Sequence, residues 1–130
     1  MVRVVHGGIA MNYHKRASEE SRRMCEALEQ LLARKIANLV RSESEQWCSL
    51  NEVGRSKFAY INHRRRMHRI EIWCMGDPEN LQRHTKLKVQ KTLPTTGGFG
   101  DRYQARVFVD SPSYIEDVAN MLMLVAYPMS

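Results

Sequence analysis

Hydrophobic residues recur at steps of three and four over residues 24–40, which is the spacing of a helix that buries one face. Ser18 can cap the start of this helix, and Glu19 and Glu20 would lie where the helix dipole favours acids. The pattern predicts one helix of about six turns that ends near Arg41. Its apolar positions are Met24, Leu28, Leu31, Leu32, Ile36, Leu39 and Val40.

A second helix with one apolar face is predicted over residues 110–127. Two starts fit the sequence: Pro112 as the first helical residue after Ser111, or a capping box formed by Ser113 and Glu116. The apolar positions of this helix are Ile115, Val118, Met121, Leu122 and Val125.

Alternating polar and apolar positions predict strands between these two helices. Residues 57–62 and 69–74 both alternate and are joined by the sequence HRRRMH, which predicts an antiparallel hairpin. Residues 47–50 and 102–109 are predicted as further strands, and residues 42–46 as a loop. In the second hairpin strand, one face carries Ile70, Ile72 and Cys74 and the other carries Arg69, Glu71 and Trp73.

The remaining segments hold turn and cap signals. Asp77 followed by Pro78 marks the start of a short helix, which is predicted to end near Lys86. Residues 87–93 alternate as a strand does, and the glycine-rich stretch 94–101 is predicted as a loop.

This order of elements predicts an α+β fold. A small antiparallel sheet of three to five strands would carry the long N-terminal helix, the short inserted helix and the C-terminal helix. Residues 1–17 are expected to form an irregular N-terminal arm, which can begin with a short strand, and residues 18–130 a single domain. A chain of 130 residues can bury roughly two thirds of its unfolded surface, so a hydrophobic core can hold the fold without disulfides.

Positive charge is concentrated in the middle of the sequence. Residues 55–91 carry ten Lys/Arg and three Asp/Glu, a net charge of +7, whereas the whole chain has a net charge of +6. This asymmetry suits a polyanionic partner, although charge supports solubility equally well.

The densest part of this charge lies at the hairpin connection. Arginine pairs with phosphates through a planar fork of donors, so the tip can act as a wing that contacts a nucleic acid. A hydrated turn and a contact for an acidic protein are the alternatives. The predicted nucleic-acid-binding residues are Arg64, Arg65, Arg66, Arg69, Lys86 and Lys88.

The cysteines and the apolar runs bear on the compartment. Cys25, Cys48 and Cys74 include no CxxC pair and are odd in number, so they are expected to be free and mostly buried. No apolar run approaches the ~20 residues of a membrane span, and His6–Gly8 interrupt any signal-peptide core. A cytoplasmic protein without a membrane partner is therefore expected.

The sequence carries no clear catalytic or metal-binding motif. Its histidines form no HxH, HExxH or HxxxH pattern, and the acid of strand 69–74 lacks the partners of a nuclease motif. The stretch TTGGFGD lacks the Lys-Ser/Thr of a phosphate-binding loop, although a small-molecule site beside it is a third possibility. Catalysis, a cofactor and a metal ion are therefore not expected, with an enzyme kept as an alternative.

Trp73 raises the question of an interface. It lies opposite Ile70 and Ile72, so one sheet face would expose an aromatic residue unless both faces are covered. An exposed apolar sheet face usually marks an interface, which favours a homodimer and makes a protein-interaction module the main alternative function.

Four short motifs lie within residues 57–127: Phe58-Ala59-Tyr60-Ile61, Ile70-Glu71-Ile72-Trp73, Gly97-Gly98-Phe99-Gly100-Asp101 and Ala126-Tyr127. They resemble those of a group of small uncharacterised α+β domains, which are similar to domains appended to predicted DNA-modification or restriction proteins. The segment also resembles the MmcQ/YjbR-like family, whose double-wing sheet is proposed to bind DNA. The resemblance implies a DNA-related context, which adds to the expectation of nucleic-acid binding.

Overall fold

The computed structural model describes residues 2–5, 18–43, 47–64, 68–93 and 99–127. The strands are β1 (Val2–Val5), β2 (Leu39–Glu43), β3 (Trp47–Glu52), β4 (Ala59–Arg64), β5 (Arg69–Cys74), β6 (Gln90–Lys91) and β7 (Ala105–Val109). The helices are α1 (Glu19–Lys35), α2 (Pro78–Gln82), α3 (Phe99–Arg102) and α4 (Ile115–Ala126), the last preceded by a 3-10 turn (Pro112–Tyr114).

The strands of the described residues form one sheet in the order β1-β2-β3-β4-β5-β7-β6. All pairs are antiparallel except β1 with β2, which run parallel. The predicted α+β class is confirmed, and the sheet is larger than the three to five strands expected from the sequence. Val2–Val5 belongs to this sheet, so the short strand that the sequence allowed at the start of the N-terminal arm is β1.

The core lies between one face of the sheet and the helices α1 and α4, which also pack on each other. The sheet contributes alternate residues, such as Ile61, Ile72 and Val107, which are neighbours in register on β4, β5 and β7. All three side chains are fully buried. The predicted apolar face of α4 is confirmed, because Ile115, Val118, Met121, Leu122 and Val125 are buried.

Helix α1 is shorter than predicted. Ile36 already has extended backbone angles, and Asn38 follows with φ 56°, a left-handed conformation that asparagine tolerates better than most residues. The chain then reverses into β2, where Leu39 pairs with Glu52 of β3. The prediction of a helix to Arg41 was wrong because Ile36, Leu39 and Val40 fit a helical spacing and a buried strand equally well.

The predicted α2 start is confirmed, and its predicted end is wrong. Asp77 caps α2 by accepting a hydrogen bond of 3.1 Å from the Asn80 N–H, but the helix ends at Gln82. The Gln82 side chain donates to the Leu87 carbonyl at 2.7 Å and accepts from the Val89 N–H at 2.8 Å. These bonds hold residues 85–89 in an irregular conformation, so the strand expected over 87–93 is only Gln90–Lys91.

In the last third of the chain, some elements begin at other residues than the sequence predicted. Strand β7 begins at Ala105 rather than at residue 102, because Phe99–Arg102 form a helical turn where a loop was predicted. Residues 94–98 of that predicted loop lie outside the described residues. Ser111 caps the 3-10 turn by accepting from the Ser113 N–H, so the first of the two predicted starts is the one observed.

A charged cluster is buried where α1 crosses β2 and β3. Arg41 is 4% exposed, and its guanidinium lies 3.6 Å from a carboxylate oxygen of Glu29 and 3.3 Å from one of Glu43. The Cys48 thiol lies 3.7 Å from the same Glu29 oxygen. Because a buried charge is costly unless it is paired, this cluster makes the position of α1 over the sheet dependent on Arg41.

Candidate nucleic-acid interface

The hairpin predicted at the basic segment is confirmed. Strands β4 and β5 are antiparallel and pair from Ala59 opposite Cys74 to Arg64 opposite Arg69. Their connection therefore lies at the end of the sheet where β5 begins. Of the predicted arginines, Arg65 and Arg66 lie outside the described residues, and Arg64 is placed by its backbone pairing.

Arg69 lies at the base of the hairpin on the sheet face that carries no described helix. Its guanidinium carbon is 3.9 Å from the centroid of the Phe108 ring on β7. This is a close cation–π contact between half-buried side chains. This contact orients the Arg69 side chain towards the neighbouring strand β7.

The hairpin base is also tied to the start of α1. The Ser21 hydroxyl donates to the Arg69 carbonyl at 3.1 Å, and the His68 imidazole lies 3.1 Å from a carboxylate oxygen of Glu20. A hydrogen bond with its own backbone and the bond with His68 lower the pKa of Glu20. Two contacts from the first turn of α1 therefore anchor the strand that follows the basic connection.

The two predicted lysines do not lie on a strand. Lys86 and Lys88 are exposed residues of the irregular segment between α2 and β6, where the Lys86 N–H donates to the Asp117 carboxylate at 2.9 Å. Strand β6 pairs with β7, and β7 separates it from β5. The lysines are therefore displaced across the sheet from the hairpin.

Four aromatic residues lie on the sheet face opposite the helices: Trp47, Tyr60, Trp73 and Phe108, here called the aromatic face. They come from the adjacent strands β3, β4, β5 and β7, and each is half-buried. The rings of Trp47 and Trp73 meet edge to face at 5.7 Å between centroids. Tyr60 is the register partner of Trp73 and meets Tyr103 edge to face at 4.9 Å.

Polar side chains that contact one another occupy the centre of the aromatic face. Glu71 is only 2% exposed; its carboxylate accepts a hydrogen bond of 3.0 Å from the Trp73 indole and lies 3.6 Å from the Arg106 guanidinium. Arg106 also donates to the Gln90 side chain at 2.7 Å, and its guanidinium carbon lies 5.2 Å from the Phe108 centroid. The face therefore presents aromatic rings and arginines around a carboxylate that is already covered.

Two of the cavities in the described structure lie near features singled out above. One, of about 440 Å³, is bounded by Lys91–Leu93 and by Gly100, Asp101 and Gln104, next to the glycine-rich stretch singled out for a small-molecule site. The other, of about 530 Å³, lies between α2 and the end of α4 and is mainly apolar, with Leu81, Leu124 and Val125 in its lining. Asp77, Arg83 and His84 also line this second cavity.

The cysteines are free and buried, as the sequence predicted. Burial raises the pKa of the Cys74 thiol to about 12, and burial also raises the pKa values of Cys25 and Cys48 well above the ordinary range. Since the thiolate is the reactive form, burial keeps these three thiols in the protonated, less reactive form at neutral pH. Within the described ranges, no three His, Cys, Asp or Glu side chains are grouped so that they could hold a metal ion.

Comparisons with protein-family models, curated proteins and solved structures give no match for this chain. The resemblance to DNA-associated α+β domains therefore stays a prediction. None of the described helices is both long and apolar enough to cross a membrane. The class defined by fold and site is an α+β protein with helices on one sheet face and aromatic and basic residues on the other.

The sequence alone singled out Trp73 but not the other members of the aromatic face. Tyr60 and Phe108 occupy polar positions of alternating strands, which is a readable signal. The order of the strands, however, brings β7 next to β5, and only this order places Phe108 beside Arg69. Such a non-local pairing leaves no trace in the local pattern.

Proposed function

We propose that this protein is a non-catalytic nucleic-acid-binding protein, with DNA as the first candidate, and that the β4–β5 hairpin contacts the phosphate backbone. The observation that carries the proposal is the register of the hairpin, in which Arg64 pairs with Arg69. In this register only residues 65–68 separate the two strands, so Arg65 and Arg66 belong to a short connection. Phosphates favour such a group because guanidinium forks bind them with two donors at once.

Anchoring of the hairpin supports the same proposal. The contacts of Ser21 and Glu20 with the start of β5 join the hairpin to α1, and Arg69 is joined to β7 through Phe108. A basic group held on rigid elements loses less conformational entropy on binding than one on a free tail. The remaining expectations, a cytoplasmic location and a homodimer, stay predictions; sedimentation at two protein concentrations tests the homodimer.

The test is fluorescence anisotropy of labelled duplex DNA, single-stranded DNA and RNA at about 50 mM and about 200 mM salt. The variant changes Arg64, Arg65 and Arg66 to Ala. A matched control changes Arg34, Lys35 and Arg55 to Ala, which removes the same charge from exposed positions at the other end of the sheet. Circular dichroism of each variant checks that it is folded.

We expect affinity for at least one of the probes to fall steeply with salt and to be lost in the hairpin variant. Because counterion release depends on the phosphates contacted, the control variant should retain most of the affinity. A folded wild type that binds none of the probes at the lower salt would rule the proposal out. Equal losses in both triple variants would also count against it, since they would indicate a general effect of net charge.

A further inference from the structure

The two tryptophans of the chain lie on the aromatic face with Tyr60 and Phe108, although nothing in the hydrophobic core requires them there. The buried core instead includes alternate strand residues such as Ile61, Ile72 and Val107, whose side chains lie on the other face of the sheet. Half-buried aromatic rings on a sheet face that bears no described helix are a feature of surfaces that bind a partner.

We propose that the aromatic face stacks the bases of a single-stranded nucleic acid whose phosphates are held by the β4–β5 hairpin. This inference rests on the proposed function and narrows its substrate class. Every nucleobase has a flat face that can stack on an aromatic side chain or on an arginine plane. The bases of a duplex are stacked on one another and cannot reach such a surface.

The dimensions of the face suit a few bases. It crosses β3, β4, β5 and β7, which are consecutive in the sheet, so it spans roughly 14 Å at the usual strand spacing. Sheets of four strands are known to stack two or three bases on aromatic residues of one face. The arginine planes of Arg69 and Arg106 beside Phe108 extend this stacking surface.

The charge of the face suits an anionic occupant. Arg69 and Arg106 lie on it, and the Lys57 ammonium is 5.7 Å from the centroid of the Tyr60 ring. Among the described residues of this face, Glu71 is the acid, and its carboxylate is covered by the Trp73 indole and by Arg106. Arg69 belongs both to this face and to the hairpin base, so it joins the proposed stacking surface to the proposed phosphate contact.

The tryptophans provide a direct test, because both report on this one surface. The probes are a single-stranded oligonucleotide of deoxythymidine, the matching oligonucleotide of uridine, a DNA duplex, and inorganic polyphosphate as an anion without bases. Binding is followed by probe anisotropy or competition, and stacking by quenching of the intrinsic tryptophan fluorescence. We expect both single strands to quench this fluorescence, whereas polyphosphate binds without quenching it. The two single strands also distinguish DNA from RNA.

A substitution separates stacking from phosphate binding. Phe108→Leu keeps both tryptophans and should weaken single-strand binding by about 5- to 100-fold, the range for loss of one stacked base. Polyphosphate binding should change less than 3-fold, roughly. Tyr114→Leu, a change of a half-buried aromatic residue in the helix layer, is the matched control and should leave single-strand affinity unchanged.

Two outcomes overturn this inference while leaving hairpin binding intact: single strands that bind without quenching, or Phe108→Leu binding single strands as tightly as wild type. Tryptophan fluorescence that changes on dilution of the protein alone would also overturn it, since a second copy would then cover the face. If none of the probes binds, the proposed function fails together with the inference.

Discussion

The Arg69 guanidinium stacks on the Phe108 ring at 3.9 Å, joining the strand that follows the basic connection to the strand beside it. The two residues are diagonal neighbours, because Phe108 pairs with Glu71 on β5. One arginine thus contributes to the stability of the sheet and to the charge at the hairpin base. The two contributions can be separated by measurement.

Replacement of Arg69 by Ala should lower the free energy of unfolding by about 1–2 kcal/mol, since the lost cation–π contact is half-buried. Urea unfolding measures this change. Arg23→Ala is the control, because Arg23 pairs with Glu19 at 2.5 Å on the exposed surface, where such pairs contribute less than ~0.5 kcal/mol. Equal effects of the two substitutions would show that the Phe108 contact adds nothing to stability.

Replacement of Arg41 by Met should destabilise the protein by about 3–5 kcal/mol, because Glu29 and Glu43 would lose a buried cationic partner. Arg55→Met removes an arginine of the exposed pair with Glu52 and should change stability by less than ~0.5 kcal/mol. Urea unfolding of both variants at neutral pH makes the comparison. A loss below about 1 kcal/mol for Arg41→Met would mean that the buried carboxylates find other compensation.

Stability should fall as pH rises above about 9, because burial raises the pKa values of all three thiols. Unfolded thiols lose their protons near pH 8.5, whereas Cys74 keeps its proton to about pH 12, so the unfolded state binds fewer protons in this window. In this pH window, each buried thiol lowers the free energy of unfolding by up to ~1.4 kcal/mol per pH unit. Below about pH 8 the thiols have no effect on stability.

Urea unfolding in a reducing buffer between pH 7.5 and pH 10, roughly, measures this loss. Cys74→Ala should reduce the slope of the free energy of unfolding against pH by the contribution of one thiol. The contributions of Cys25 and Cys48 should remain. A free energy of unfolding that stays constant across this range would contradict the burial of the thiols.

The glycines at two turns should respond differently to alanine. Gly76 has φ 113°, and a Cβ there would lie 3.1 Å from Cδ1 of Leu81, whereas Gly54 has φ 80° and nothing within 4 Å. Both substitutions place alanine in a left-handed conformation at a cost of about 1 kcal/mol or more. Gly76→Ala should cost about 1 kcal/mol beyond Gly54→Ala because Leu81 must also move, and thermal unfolding compares them. Equal costs would show that Leu81 moves freely.

The class of the fold and its central hairpin could be predicted from the sequence because they depend on local signals. Asp77 with Pro78 marked a helix start, and the alternation in residues 57–62 and 69–74 predicted the hairpin of β4 and β5. The end of α1 could not be predicted, because Leu39 belongs to a strand only through its pairing with Glu52. The four residues of β1 are equally dependent on a partner distant in sequence.

The candidate site likewise includes features that the sequence predicts and features that only the structure reveals. The run of arginines can be read directly from the sequence. The hairpin that carries them is predicted by the alternation of polar and apolar residues on both sides of the run. The aromatic face is visible only after the strands are ordered, because its members come from four strands separated in sequence. Lys86 and Lys88 lie on an irregular segment because the Gln82 side chain, rather than a strand partner, bonds to its backbone.

The shortness of β6 has a consequence for behaviour at high concentration. This last strand of the sheet pairs with β7 through only Gln90 and Lys91, and the Lys91 side chain is exposed. A sheet margin that is two residues long and carries a lysine is a poor template for another molecule's strand, and natural proteins use such margins to avoid aggregation. Polymerisation by strand addition is therefore disfavoured on this side of the molecule.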